Sequence, residues 1–99
     1  MTEESVFGVP IEGYVMQLRP SELDSVAAGL GVLDSPTAGH RARLAQALQK
    51  LPAIDRAPTW ELAVRHFGRR KPLAQAAGEI GMDVIRAGDL LARFSNALG

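Results

Sequence analysis

The chain has no cysteine. That excludes disulfide staples, thiolate nucleophiles and every cysteine-ligated zinc or iron–sulfur centre. It has only two histidines, His40 and His66, and neither has a second ligand at helical spacing. His66 reads as a rim residue beside Phe67, and His40, next to Arg41 and Arg43, as a solvated side chain within reach of a phosphate. The five aromatic residues fall at core spacings, which disfavours a base-stacking platform. No apolar run approaches the roughly 20 residues of a membrane helix. The opening Met1-Thr2-Glu3-Glu4 is acidic where a signal peptide would be basic. Gly29-Leu30-Gly31 lacks the third glycine and the strand context of a dinucleotide loop. There is no P-loop, and no carboxylate pair stands out for acid–base work. The expectation is a cytoplasmic protein that is not an enzyme and has no cofactor, metal site or membrane span.

What is present is a globular composition, with 99 residues, 46% apolar and 22% charged. This is one domain with a single core and a modest stability margin. The net charge is zero, but it is unevenly spread. Residues 1–39 set six acidic side chains against Arg19 alone, and residues 40–99 set ten basic against five acidic. Such a split suits a basic face for an acidic partner, or two halves that attract one another.

Residues 6–18 alternate at period two through Phe7, Val9 and Ile11, then Tyr14, Met16 and Leu18. Glu12-Gly13 offers a hairpin turn, while Pro10 favours an edge strand or an extended arm. Residues 1–19 are therefore read as an arm or hairpin, and residues 20–99 as a helical domain.

Pro20 opens the first helix. Ser21 and Asp24 form a weak capping box, Leu23, Val26, Ala27 and Leu30 a stripe, and Gly29 and Gly31 the stop. Asp34-Ser35-Pro36 signals a second helix running to about Leu51. Leu44, Leu48 and Leu51 face inward there, and His40, Arg43 and Lys50 outward. Pro58-Thr59 is read as opening a third helix, with Trp60, Ala63, Val64 and Phe67 as its stripe, Glu61 paired with Arg65, and Gly68 as its cap. Arg69-Arg70-Lys71 follows as a basic hinge, and Pro72 starts the next helix.

Residues 73–92 carry a further pattern. Ala77 is a small residue where two helices would cross, and Gly81 sits four positions later, where a turn wants positive φ. Ala76, Ile80, Met82, Ala87 and Leu90 are the inward positions, and Asp83 can cap the second helix. This segment resembles the helix-turn-helix of bacterial transcription regulators, including the C-terminal region of sigma factors, over about a fifth of the chain. The fold expected is mainly α, a bundle of four to five helices with a C-terminal helix-turn-helix at residues 72–96.

The resemblance implies a small DNA-binding or transcription-associated protein whose partner is double-stranded DNA. Arg69, Arg70, Lys71, Arg86 and Arg93 would contact phosphates, and the helix from Asp83 would lie near the groove. That helix would present Asp83, Val84, Ile85, Gly88 and Asp89, none of them a bidentate base-reading donor. The alternative is a helical protein–protein interaction module, or a noncatalytic subunit, docking through an apolar last helix. In that helix Val84, Ala87, Leu91, Phe94 and Leu98 recur at coiled-coil spacing. A homodimer burying Phe94 and Leu98, with Leu91 shared between core and interface, is the expected association; a fully enclosed central helix is its alternative.

Overall fold

A computed structural model describes residues 7–32 and 37–98. The Asp34-Ser35-Pro36 start signal lies outside the described residues. Among the described residues, five α-helices follow an N-terminal hairpin.

Strands β1 (Phe7–Ile11) and β2 (Tyr14–Leu18) pair antiparallel, with Phe7 opposite Leu18, Val9 opposite Met16 and Ile11 opposite Tyr14. These three pairs share one face of the sheet. Val9 and Leu18 on it are fully buried, and Phe7, Ile11 and Met16 pack on the same core. Gly8, Pro10, Val15 and Gln17 point outward and are exposed. Gly13 supplies φ 89° in the turn, a conformation cheap only for glycine. A two-stranded hairpin is marginal alone. Here β1 is packed against the helices at Thr37–Gln49 and Ala53–Ala63.

Helix α1 spans Pro20–Leu30. Arg19 is its extended N-terminal residue and no side chain caps it, which corrects the expected Ser21–Asp24 box. The helix starts two residues too early for Ser21 to cap it, and Asp24 turns to the next helix. Leu23, Val26 and Ala27 are buried, and Gly31 closes the helix at φ 74°. Gly29 is no stop. A Cβ built there would lie 2.1 Å from the Phe67 carbonyl oxygen, so glycine is required by close approach of another segment.

Helix α2 is described over Thr37–Gln49. Leu44 and Leu48 are fully buried, and so is His40, contrary to its expected solvated place. The reason is spacing: His40, Leu44 and Leu48 stand four apart, on one face. His40 Nε2 donates to Asp24 Oδ1 at 2.7 Å, and Arg41 holds both oxygens of Asp24 at 2.8 and 2.6 Å. The Arg41 guanidinium beside Asp24 pulls its carboxyl down to about 2.

Helix α3 spans Ala53–Ala63 and carries Pro58 inside it. The expected start at Pro58-Thr59 is thus corrected by five residues: Pro52 is the opening proline. Arg56 braces this end of the molecule, donating to the carbonyls of Leu51 (2.9 Å), Gln49 (2.9 Å) and Pro10 (2.5 Å). Thr59, Trp60, Leu62 and Ala63 are buried. The helix continues into a π-helical turn, Val64–Gly68, closed by the Arg69 N–H on the Val64 carbonyl at 2.9 Å. Arg70, not Gly68, takes the left-handed conformation after it, at φ 60°. Gly68 faces Ser25 of α1 instead.

Helices α4 (Leu73–Glu79) and α5 (Val84–Ala97) complete the chain. Between them Gly81 sits at φ 69°. The Asp83 carboxylate caps α5, accepting from the N–H groups of Ile85 (3.0 Å) and Arg86 (3.3 Å). Ala76, Ala77, Ala87 and Leu90 are buried, and Ile80 and Met82 half-buried. No helix among the described residues is long and apolar enough to cross a membrane.

One correction concerns α5. Phe94 is fully buried within the single chain, edge-on to Trp60 at 6.3 Å and 75°, and Leu91 is buried as well, while Leu98 is half-buried. Helix α5 touches α2, α3 and α4, so Leu90, Leu91 and Phe94 are all taken up by three neighbours. Phe94 and Leu91 are core residues, not interface residues.

Candidate functional site

The expected phosphate contacts come from two places, the segment between the π-turn and α4, and the outer side of α5. The structure treats them differently. On α5, Arg86 Nη2 lies 3.0 Å from Asp55 Oδ1, and Arg93 Nε lies 3.1 Å from Asp89 Oδ2 one turn away. Asp83 is the helix cap. Lys71 is bound to Glu79 at 3.0 and 2.8 Å. Its carbonyl accepts from His66 Nδ1 at 2.8 Å, and His66 lies tilted against Phe67 at 5.0 Å. Glu79 also takes Arg65 at 3.0 Å, and Arg65 bonds Glu61 at 2.7 Å. This chain of alternating charges leaves clear electrostatic marks. Lys71 beside Glu79 lowers its carboxyl, and the hydrogen bond from Arg65 to Glu61 raises the guanidinium.

Of the six expected nucleic-acid residues, then, Lys71, Arg86 and Arg93 already hold carboxylates, and Asp83 holds backbone N–H groups. Arg69 and Arg70 are exposed and form no ion pair among the described residues. The structure gathers Arg69, Arg70 and Lys71 in one stretch of backbone, and puts Asp83, Arg86 and Arg93 on another element.

The outer surface at the start of α5 is apolar. Ile85 is 80% exposed and Val84 43% exposed. Arg86 and Asp55 join α5 to α3, and each follows an exposed isoleucine, for Ile54 is 75% exposed.

A cleft that the sequence did not reveal lies on the α1 side of the π-turn. Its larger hollow, about 250 Å³, is lined by Met16 and Gln17 of β2, Glu22 of α1, and Trp60, Glu61, Val64, Arg65 and Arg69. A smaller one, about 120 Å³, is lined by Ser21, Glu22, Ser25, Val64, Gly68 and Arg69. Trp60 is a core residue, as its spacing implied, yet it also forms cleft wall. Its Nε1–H is buried with no hydrogen-bond partner, as is the Thr59 hydroxyl. The only sequence signal for the cleft was Trp60 beside Glu61-Arg65; the π-turn that places Arg69 has no signature in residue spacing.

Among the described residues, no three His, Asp or Glu side chains come together as a metal ion would need. The chain matches no family model, no curated protein and no solved structure.

Proposed function

We propose that this chain is a helical protein–protein interaction module that docks a partner through the first turn of α5. The observation that carries this reading is Ile85, 80% exposed, next to the partly exposed Val84. Single exposed apolar residues are ordinary. Two in succession on one helix turn are apolar surface of the kind that partners cover. Leaving a side chain of this size in water forfeits roughly 1.5–3 kcal/mol. The core does not need these residues, since Ala87, Leu90, Leu91 and Phe94 already fill the inward face of α5. A second copy of this chain is one partner that such a patch can take, with the interface at Val84 and Ile85 in place of Phe94.

A second reading, a DNA-binding helix-turn-helix protein, is favoured by the local resemblance of residues 73–92 and by the exposed Arg69 and Arg70. It is the weaker of the two. The surface that would meet the groove offers Val84 and Ile85 where base readout needs amide or guanidinium donors. Its flanking cations are bound to Asp55 and Asp89.

The test is affinity capture from the source cells with the wild-type chain and Ile85→Asp side by side, with sedimentation velocity for self-association. A protein, or a second copy, that is held by the wild type and lost from a folded Ile85→Asp variant is expected. Equal recovery on both baits overturns the reading. The DNA reading is tested by anisotropy with a mixed duplex at two salt concentrations. It requires binding that weakens steeply with salt and disappears in Arg69→Ala/Arg70→Ala.

A further inference from the structure

Most charged side chains around the π-turn are committed. Arg65, itself a wall of the larger hollow, is held by Glu61 and Glu79. The exceptions are Arg70, which lines neither hollow, and Glu22 and Arg69, which do. Among the described residues neither Glu22 nor Arg69 forms an ion pair, with the other or with any other side chain. Yet both line both hollows of the cleft. Two opposite charges thus line the same small space without closing on one another.

The walls of this space are set by packing. Gly29 of α1 lets the Phe67 carbonyl approach so closely that no Cβ fits, and Gly68 lies against Ser25. The π-turn is therefore packed tightly against α1, and Arg69, which follows it, lines the cleft together with Glu22. Turns of this type recur at functional sites because they re-aim side chains without breaking the helix. The remaining wall of the larger hollow includes Met16, Trp60 and Val64, all apolar. At about 250 Å³ this hollow has room for roughly eight waters' share of liquid volume, enough for a ligand the size of a branched amino acid.

We propose that this cleft binds a small zwitterion, an α-amino acid with an apolar side chain. Glu22 accepts hydrogen bonds from the ammonium group, Arg69 donates to the carboxylate, and Met16, Trp60 and Val64 cover the side chain. The pairing is specific for a ligand that carries both charges on one carbon. A lone carboxylate leaves Glu22 unmatched, and a lone amine leaves Arg69 unmatched. The proposal is independent of the docking patch on α5.

The experiment uses the full chain and its single tryptophan, Trp60. The indole N–H signal and the tryptophan fluorescence are followed while leucine, methionine and phenylalanine are added. N-acetylleucine and leucinamide, each lacking one charge, are the controls. A saturable shift with the free amino acids is expected. Binding should be at least about tenfold weaker for both blocked compounds, the loss of one charge-assisted hydrogen bond. Glu22→Gln and Arg69→Ala should weaken it to the same degree, with an unchanged helical spectrum because both residues are at the surface. No saturable shift with any free amino acid at millimolar concentration overturns the proposal. So does equal binding of the blocked compounds, or binding that both variants leave intact.

Discussion

The two cationic regions of this domain differ in what they do with their charges. Along α5, Arg86 spends its guanidinium on Asp55, a nearly buried carboxylate of α3, and Arg93 lies against Asp89. After the π-turn, Arg69 and Arg70 project with no carboxylate among the described residues, and Arg70 even holds a left-handed backbone. In the first region charge is part of the fold, and the exposed remainder is apolar. In the second, charge is what remains for a ligand. A count of basic residues merges the two. Only the partners of each side chain tell them apart.

Substitutions can break this division, and the largest effects belong to the core beneath it. Phe94→Ala should cost about 3–5 kcal/mol in urea unfolding, because Phe94 is fully buried against Trp60. An interface residue would instead give a folded monomer with little loss. Gly29→Ala comes next. The added methyl meets the Phe67 carbonyl, and overpacking of this kind costs about 1–3 kcal/mol or more. It should also disturb the tryptophan signal, since the π-turn forms the cleft with Trp60.

Arg86→Ala sharpens the contrast directly. Asp55 is buried, and removing its partner leaves a carboxylate short of a hydrogen bond, at a cost of about 1–3 kcal/mol. Arg69→Ala, which removes nothing that the fold uses, should stay within about 0.5 kcal/mol of wild type in the same assay. Equal losses would erase the distinction between the two regions.

The smallest effect is one of pH. Arg41 and His40 hold Asp24 at about 2, below its ordinary 3.8. A carboxyl lowered on folding stabilises the native state above its unfolded value, and that contribution fades as pH falls from about 4 towards 2. Asp24 is about a third exposed, so solvent and salt screen the effect. In Asp24→Asn this portion of the acid dependence of the melting temperature should flatten.

Where signals were local, the sequence was readable. Period-two spacing and Gly13 located the hairpin, and Gly81 and Asp83 located the turn between α4 and α5, since positive φ and capping are properties of one or two residues. Pro58 misled because a proline is welcome at a helix start and tolerated, at a cost, in the second turn; Pro52 already held the first role. His40 was placed outside by its basic neighbours, although its spacing with Leu44 and Leu48 pointed inward. The division of α5 failed because the number of neighbours around a helix is a tertiary fact. The same limit hid the candidate site. Which arginine keeps its charge free is decided by Asp55, Asp89 and Glu79, which lie far off in sequence or one turn away, and by a π-turn that no spacing announces.

The measurement that meets the docking proposal most directly is photo-crosslinking from position 85. Ile85 is replaced by a photoreactive amino acid in the source cells, and exposed Gln46 on α2 serves as the reference position. The account predicts a discrete protein adduct, or a crosslinked second copy, from position 85 and none from position 46. Adducts of equal yield from both positions, or crosslinks from position 85 to nucleic acid alone, would contradict it.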